Sequence, residues 1–265
     1  GPLLGQGLTA EVYAWGDAQV LKLFHEGFAP RWIELEARVT RSVHKAGLAA
    51  PAVGEVLELD GRRGIIFERV DGISMLQAFL AKPWRLLHLV RDFVELQVAM
   101  HNCVAGDLPP QRVSIRDALA RATQLGDDVK EKLLPALENL PAGEAVCHGD
   151  YHPDNVIMAA RGPVAIDWMT ATRGNPVADM ARTSLLIRAD MLPPGAGRLE
   201  GWLIRVGQIL SHAAYLREYR KCRPVSAPEM EAWIPVLAAA RLPESVPDSE
   251  KERLLGLVHK WACTR

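Results

Sequence analysis

The hydrophobic pattern of this chain changes period near residue 71, and that change limits the possible folds more than any other feature. From "LLGQGLTAEVYAW" at residue 3 to "FERV" ending at Val70 the pattern alternates as strands do. "QVLKLF" is one short strand, and "VGEVLELDGRRGIIFERV" is a hairpin around Asp60 and Gly61. One helix interrupts this region, at about residues 30 to 46. After Asp71 the period becomes helical. Ser74 and Gln77 stand at capping-box spacing around "SMLQAFL", and Leu89, Phe93, Leu96 and Met100 recur at helical intervals. The last third reads as helices at about 177 to 188, 198 to 222, 227 to 240 and 249 to 263, the last two opened by Ser226/Glu229 and Ser249/Glu252. The expected architecture is α+β: a small β-rich N-terminal lobe over residues 1–70 and a larger, mainly helical lobe over residues 71–265. At 265 residues each lobe can bury its own core, and a cleft between lobes is a common ligand site.

A net charge of -1 withholds the basic surplus that a general binder of nucleic acid or of a membrane surface needs. Cys103, Cys147, Cys222 and Cys263 are scattered without a CxxC pair, so free thiols in a reducing cytoplasm are expected. No apolar run approaches the length of a membrane span, no signal peptide opens the chain, and the missing initiator Met suggests a trimmed start.

The densest polar segment is "VCHGDYHPDNVIMAARGPVAIDW", Val146 to Trp168, with two histidines, three aspartates and an asparagine in 23 residues. "NVIM" and "VAID" read as two short strands joined by "AARGP". A hairpin centred on Arg161 pairs position 155 with position 167, so Asn155 faces Asp167, and both carry the oxygen ligands that a hard cation such as Mg2+ takes. Asp150 lies on the loop before the hairpin, led in by His148 and Gly149, close enough to that pair to serve as a base without joining it. Singly, His148 and Asp150 could tie down a turn, and Asn155 and Asp167 could cap strand ends; the set in this order reads as a site. A metallohydrolase cluster of His148, Asp150 and His152 is the alternative, but the other six histidines offer no HxH or HxxxH partner.

"HGDYHPDN" followed by "IDW" resembles the catalytic loop and metal-binding segment of the aminoglycoside phosphotransferase and choline kinase family, relatives of the protein kinases. The resemblance implies a protein-kinase-like fold with Asp150 as the catalytic aspartate, His148 supporting the loop, and Asn155 and Asp167 binding Mg2+. "RGNPVADMA" is similar to the segment that follows in the family, where Asp179 would brace the catalytic loop. "GQGLTAEVY" resembles the nucleotide-covering loop through Gly5 and Gly7. Ala10 stands where a third glycine would complete GxGxxG, and no GxxxxGK[ST] occurs. By the same resemblance Lys22 in "VLKLF" contacts the nucleotide phosphates, and the backbone of Glu68 to Val70 in "FERVDG" meets a purine edge. ATP is expected, with GTP not separable from it by sequence. The resemblance extends from about Leu4 to about Ile187.

A strand lysine in that role depends on a carboxylate partner, and Glu34 and Glu36 are the candidates. At about 100° per residue, Trp32, Leu35, Val39, Val43 and Ala46 form one apolar stripe, with Glu36 at its edge and Glu34 pointing roughly opposite. A carboxylate on the buried side of a helix needs a cation. Glu36 is therefore the expected partner of Lys22, and Glu34 a surface residue.

The expected activity is Mg-dependent transfer of a nucleotide γ-phosphate to a hydroxyl of a small molecule. A protein kinase is disfavoured because "NPVADMARTSLL" follows "IDW" almost directly, with no APE-like activation segment. An idle pseudokinase is disfavoured because Lys22, Asp150, Asn155 and Asp167 are all chemically competent. From Val177 to Arg265, the region expected to supply the acceptor pocket, there are 10 Asp or Glu and 13 Lys or Arg, the wrong sign for a polycationic aminoglycoside. A local acidic cluster would draw on Glu200, Glu229 and Glu231. A choline-like quaternary ammonium would need a cage built from Trp202, Tyr215, Tyr219, Trp233 and Trp261. The expected acceptor is a neutral or weakly charged hydroxylated metabolite, with an aminoglycoside as the alternative.

Overall fold

Five N-terminal strands form one antiparallel sheet in a computed structural model of the chain, which describes residues 1–189 and 197–264, the side chains of Arg198 and Glu200 excepted. β1 (Leu3–Gln6), β2 (Ala10–Trp15), β3 (Gln19–Phe24), β4 (Val53–Leu59) and β5 (Arg62–Glu68) lie in the order β1-β2-β3-β5-β4. Asp60 (φ 51°) and Gly61 (φ 75°) turn β4 into β5, and both are left-handed, as the two-residue turn foreseen from Asp-Gly requires.

Helix α1 (Pro30–Lys45) crosses between β3 and β4 and is covered from two sides. Ile33 and Ala37 pack with Ala10, Phe24, Ile65 and Phe67 on one face of the sheet. Val39 and Val43 instead join the core of the helical part. The buried arc is wider than one stripe and is rotated from the one read in the sequence: Trp32 is 37% exposed, while Ile33, Glu36, Ala37 and Thr40 are buried. Double coverage explains the difference, and it puts Glu36 inside the buried face rather than at its edge.

The helical part contains α2 (Met75–Ala81), α3 (Leu86–His101), α4 (Gln111–Arg121), α5 (Asp127–Asn139), α6 (Pro176–Ile187), α7 (Arg198–Cys222), α8 (Ala227–Arg241) and α9 (Asp248–Ala262). Short strands lie among them. β6 (Gly72–Ser74), β8 (Val156–Ala159) and β9 (Gly162–Ala165) form one sheet in the order β6-β8-β9, and β7 (Ala145–Cys147) pairs with β10 (Thr172–Gly174). Ser74 and Gln77 exchange both bonds of a capping box, as do Ser226 and Glu229. The third foreseen box, Ser249/Glu252, does not form. Pro247 already has the extended backbone of an N-cap (φ -55°, ψ 153°), so α9 starts one residue early and Ser249 lies inside it.

Phe93, Met100, Tyr151, Val156 and Trp168 are buried together with α6 and α8 residues in one continuous core, so the segment that carries the polar cluster is set on a packed base. His212 on α7, whose Nε2 lies 2.5 Å from Ser184 Oγ on α6, titrates well below an ordinary histidine. Burial, and then the charges of Arg188 and Arg220, push its pKa down to about 4. The unfolded chain takes up this proton near pH 6.5 and the folded one near pH 4. Stability is therefore expected to fall as pH drops from about 6.5 towards 4. Denaturant titrations of His212→Gln across that range should show a flatter decline than the parent; parallel curves would mean that His212 is not responsible.

Candidate active site

β7 delivers the chain into His148, whose ring is fully buried and has both nitrogens engaged. Nε2 donates to the Ile166 carbonyl at 3.0 Å, and Nδ1 accepts the Asp150 N–H at 3.3 Å. Burial holds its pKa below the usual value, in keeping with a neutral ring that accepts at Nδ1. This disposes of the metallohydrolase reading, because a ring used at both nitrogens has none for a metal. Among the described residues, no group of three or more His, Cys, Asp or Glu is placed to hold an ion.

Gly149 follows in the left-handed region (φ 79°), where a Cβ would stand 2.5 Å from the Thr170 carbonyl oxygen. Only glycine fits such a position. Its N–H donates to Asp179 Oδ1 at 2.8 Å. Asp179 is buried, and its other oxygen meets His101 Nε2 at 3.0 Å and Gln97 Nε2 at 3.1 Å. Burial alone would raise its pKa; the bond and charge of His101 and the Gly149 N–H outweigh burial and hold it at about 2.

Asp150 is half-buried and touches Asn155 twice. The Nδ2 of Asn155 donates to the Asp150 carbonyl at 2.9 Å and to its Oδ2 at 3.1 Å. His152 Nε2 lies 3.5 Å from the same Oδ2. Burial works to raise the Asp150 pKa, but the neighbouring His152 and the Arg182 guanidinium prevail and keep the carboxyl well below the usual range. It is an anion at neutral pH.

The hairpin register differs by one residue from the one inferred. β8 and β9 pair Val156 with Ala165 and Ala159 with Gly162 around a two-residue turn, so Asn155 lies opposite Ile166, whose N–H it accepts at 3.0 Å. In a continuing strand this slip would send Asp167 to the wrong face. The chain leaves the strand instead: Asp167 is left-handed (φ 62°, ψ 63°), and its carboxylate comes within 3.1 Å of Lys22 Nζ. Trp168, fully buried with Nε1 on the Ala165 carbonyl, anchors the next residue.

Lys22 on β3 thus has two partners, Glu36 Oε1 at 2.7 Å and Asp167 Oδ1 at 3.1 Å. Its pKa is raised: burial opposes the charge, and the two carboxylates more than offset it. Burial raises the Glu36 pKa despite Lys22, and Glu36 Oε2 is buried without a hydrogen-bond partner. Glu34 is exposed and pairs with Arg63 at 2.8 Å. The structure therefore brings together Lys22 and Glu36, the pair chosen from helical geometry. Glu36→Gln and Lys22→Met should be non-additive in unfolding free energy, because either change breaks the same ion pair. A double variant whose loss equals the sum of the singles would refute the coupling.

Gly5 lies on β1, and Gly7 turns the chain into β2 with its N–H on the Ala10 carbonyl at 2.8 Å. Glu68 ends β5. Its N–H is used by Ala52 O at 2.9 Å, and its carboxylate takes the Ala52 N–H and Arg161. Val70, two residues on, lies between the sheet and β6.

A cleft of about 430 Å³ opens beside Gly149 between α1 and the helical part, with Phe28, Trp32, Ile115 and Met169 among its apolar walls. Its carboxylates are Asp117, Asp179 and Glu244, and Glu244 is bonded to Arg182 at 2.6 Å. The aromatic cage does not assemble. Tyr215 and Tyr219 are core residues bonded to Gln97 and His101, Trp233 is buried, and Trp202 is 60% exposed. Of the acids, Glu229 caps α8 and Glu231 is exposed, while the Glu200 side chain lies outside the described residues. Sequence reasoning passed over Arg182, which reaches the Gly149 carbonyl; its position three residues after Asp179, on the same face of one helix, was the available signal.

The profile of the phosphotransferase enzyme family matches residues 2–225. Among solved structures, the chain is similar to a thermostable mutant of aminoglycoside phosphotransferase APH(4)-Ia in ternary complex with ADP and hygromycin B (16% identity, TM-score 0.67, 97% of this chain and 90% of that one). It is also similar to aminoglycoside-3'-phosphotransferase of type VIII (21%, 0.60, 92% of each chain). A third similar structure is APH(2'')-IIa with streptomycin and ATP (14%, 0.61, 98% and 90%). No curated protein matches the sequence.

Proposed function

The chain belongs to the phosphotransferase enzyme family and is a small-molecule kinase, and from that premise we propose that it moves the γ-phosphate of ATP to a hydroxyl of a neutral or weakly charged metabolite, with Asp150 as the base. The observation that carries this reading is the junction of Lys22, Glu36 and Asp167 beside the Asp150–Asn155 pair. It sets a half-buried cation, an exposed carboxylate and a second, ionised carboxylate in one neighbourhood, which is what phosphoryl transfer asks of a protein.

Lys22, fixed by Glu36, is suited to hold phosphate oxygens. Asn155 spends its amide nitrogen on Asp150, which leaves its Oδ1 outside those bonds, and Asp167 is half exposed; two oxygens of this type fit Mg2+, which takes its remaining ligands from water and phosphate. Mg2+ held by Asn155 and Asp167 would neutralise charge on the transferring phosphoryl group. Asp150, a weak base by its lowered pKa, orients the attacking hydroxyl and accepts its proton as the bond from that oxygen to the γ-phosphorus forms and the bond from the γ-phosphorus to the β,γ-bridging oxygen breaks, leaving ADP. His148 keeps the loop in place from beneath. Gly5 and Gly7 cover the nucleotide. At the linker, Glu68 and Arg69 have already committed their N–H groups within the sheet, so the purine edge is left to carbonyl oxygens and to the backbone of Val70.

The acceptor follows from the cleft. Of its three carboxylates, Asp179 is bonded to His101 and Glu244 to Arg182, which leaves Asp117 among the described residues, one turn from Arg121 on α4. A polycation giving up water for this site would find too few anions to compensate. The similar structures that hold hygromycin B or streptomycin favour an aminoglycoside as the second reading. Growth of a sensitive bacterium expressing the protein, against a panel of aminoglycosides, separates the two. No protection is expected; strong resistance that disappears in Asp150→Asn would establish the second reading instead.

A further inference from the structure

We propose that Arg182 is a positioning residue for the catalytic loop, kept in place by Glu244 and the two C-terminal helices; the inference rests on the role given to Asp150 above. Gly149, immediately before Asp150, is gripped at both ends of its backbone. Its N–H donates to Asp179 Oδ1 at 2.8 Å, and its carbonyl accepts from Nε of Arg182. Both gripping residues lie on α6, three positions apart and so on one face of the helix. Since Gly149 has no room for a Cβ, the loop cannot anchor itself there with a side chain of its own.

The guanidinium is in turn placed by a chain of alternating charges. Arg182 Nη2 meets Glu244 Oε1 at 2.6 Å, and the other Glu244 oxygen lies 3.2 Å from Arg241 Nε. Arg241 Nη1 is 3.2 Å from the fully buried Glu250, which takes two further bonds of 2.7 Å from Arg253. Arg253 also donates to the Leu185 carbonyl at 3.3 Å, which returns the network to α6. Arg241 and Glu250 are buried within this network, so removing a partner strands a buried charge, and the half-exposed Glu244 and Arg253 complete the arrangement. Arg241, Glu244, Glu250 and Arg253 all lie beyond residue 225, where the family match ends. The hold on the carbonyl side of Gly149 is therefore secured by a part of the chain that the family match does not cover.

Hydrogen–deuterium exchange of residues 146 to 151 in the full chain, with basal Mg-ATP hydrolysis measured alongside, tests this. In Glu244→Gln, which keeps the shape and removes the charge, and in Arg182→Met, the loop amides should exchange at least about tenfold faster, the scale of one lost hydrogen bond to a charged group, while α3 and α5 exchange as in the parent. The kcat for hydrolysis should fall by about tenfold with the KM for ATP changed less than about twofold, and methylguanidinium should restore part of the rate to Arg182→Ala, which a purely structural role would not allow. If Arg182→Met does not fold, Glu244→Gln decides alone. Loop exchange at the parental rate overturns the inference, whatever the turnover. A loosened loop in variants whose hydrolysis is unchanged supports the hold and counts against the role of Asp150 instead.

Discussion

Asp150→Asn is expected to lower turnover by about 10² to 10⁴, the usual contribution of a positioned acid or base, while Mg-ATP affinity stays close to that of the parent. The amide matches the carboxylate in shape, and the carbonyl of residue 150, which also holds Asn155, is untouched. What is lost is the anion proposed to orient the acceptor hydroxyl and receive its proton. Because the carboxyl pKa already lies well below the usual range, no part of the effect can be assigned to a parent enzyme that is half protonated at neutral pH. Steady-state kinetics with both substrates varied separate the terms. A variant that retains half of the parent's kcat would remove Asp150 from the mechanism.

Asp167→Asn is expected to act on binding instead, weakening Mg-dependent ATP affinity by about tenfold or more, equivalent to roughly 1.4 kcal/mol, through loss of a charged oxygen ligand. Asparagine is the informative choice because Asp167 is left-handed (φ 62°), a conformation that asparagine tolerates and that costs alanine roughly 1–2 kcal/mol. Asp167→Ala therefore mixes backbone strain with ligand loss and should melt at a lower temperature than Asp167→Asn. Calorimetry that finds Mg-ATP affinity unchanged in Asp167→Asn would contradict the metal assignment. The same substitution leaves Lys22 with Glu36 as its carboxylate partner, so ATP binding measured without Mg2+ should change far less.

What could be read from the sequence was mostly what is local. The Asp60-Gly61 turn, the boxes at Ser74/Gln77 and Ser226/Glu229, and the choice of Glu36 over Glu34 each depend on a few residues whose geometry is nearly fixed by backbone chemistry. The register of β8 and β9 was missed because a symmetric turn on Arg161 and the observed two-residue turn differ by one position, and hydrophobic alternation over strands this short does not separate them. Asp167 reaches Lys22 through a left-handed residue that no periodic pattern announces. Tyr215, Tyr219 and Trp233, candidates for a cage, proved to be core, the commoner fate of aromatics at helical spacing. Arg182 and Glu244 are 62 residues apart, and only the packing of α6 against α8 makes them neighbours.

The central claim is that a phosphoryl group passes from ATP to an acceptor hydroxyl beside Asp150, and 31P NMR of ATP, Mg2+ and a panel of hydroxylated metabolites and aminoglycosides incubated with the protein tests it most directly. The account predicts that with one acceptor class the γ-phosphate signal is replaced by a phosphomonoester signal, and that this conversion is lost in Asp150→Asn. Release of inorganic phosphate alone across the whole panel, at equal rates in the parent and in Asp150→Asn, would contradict it.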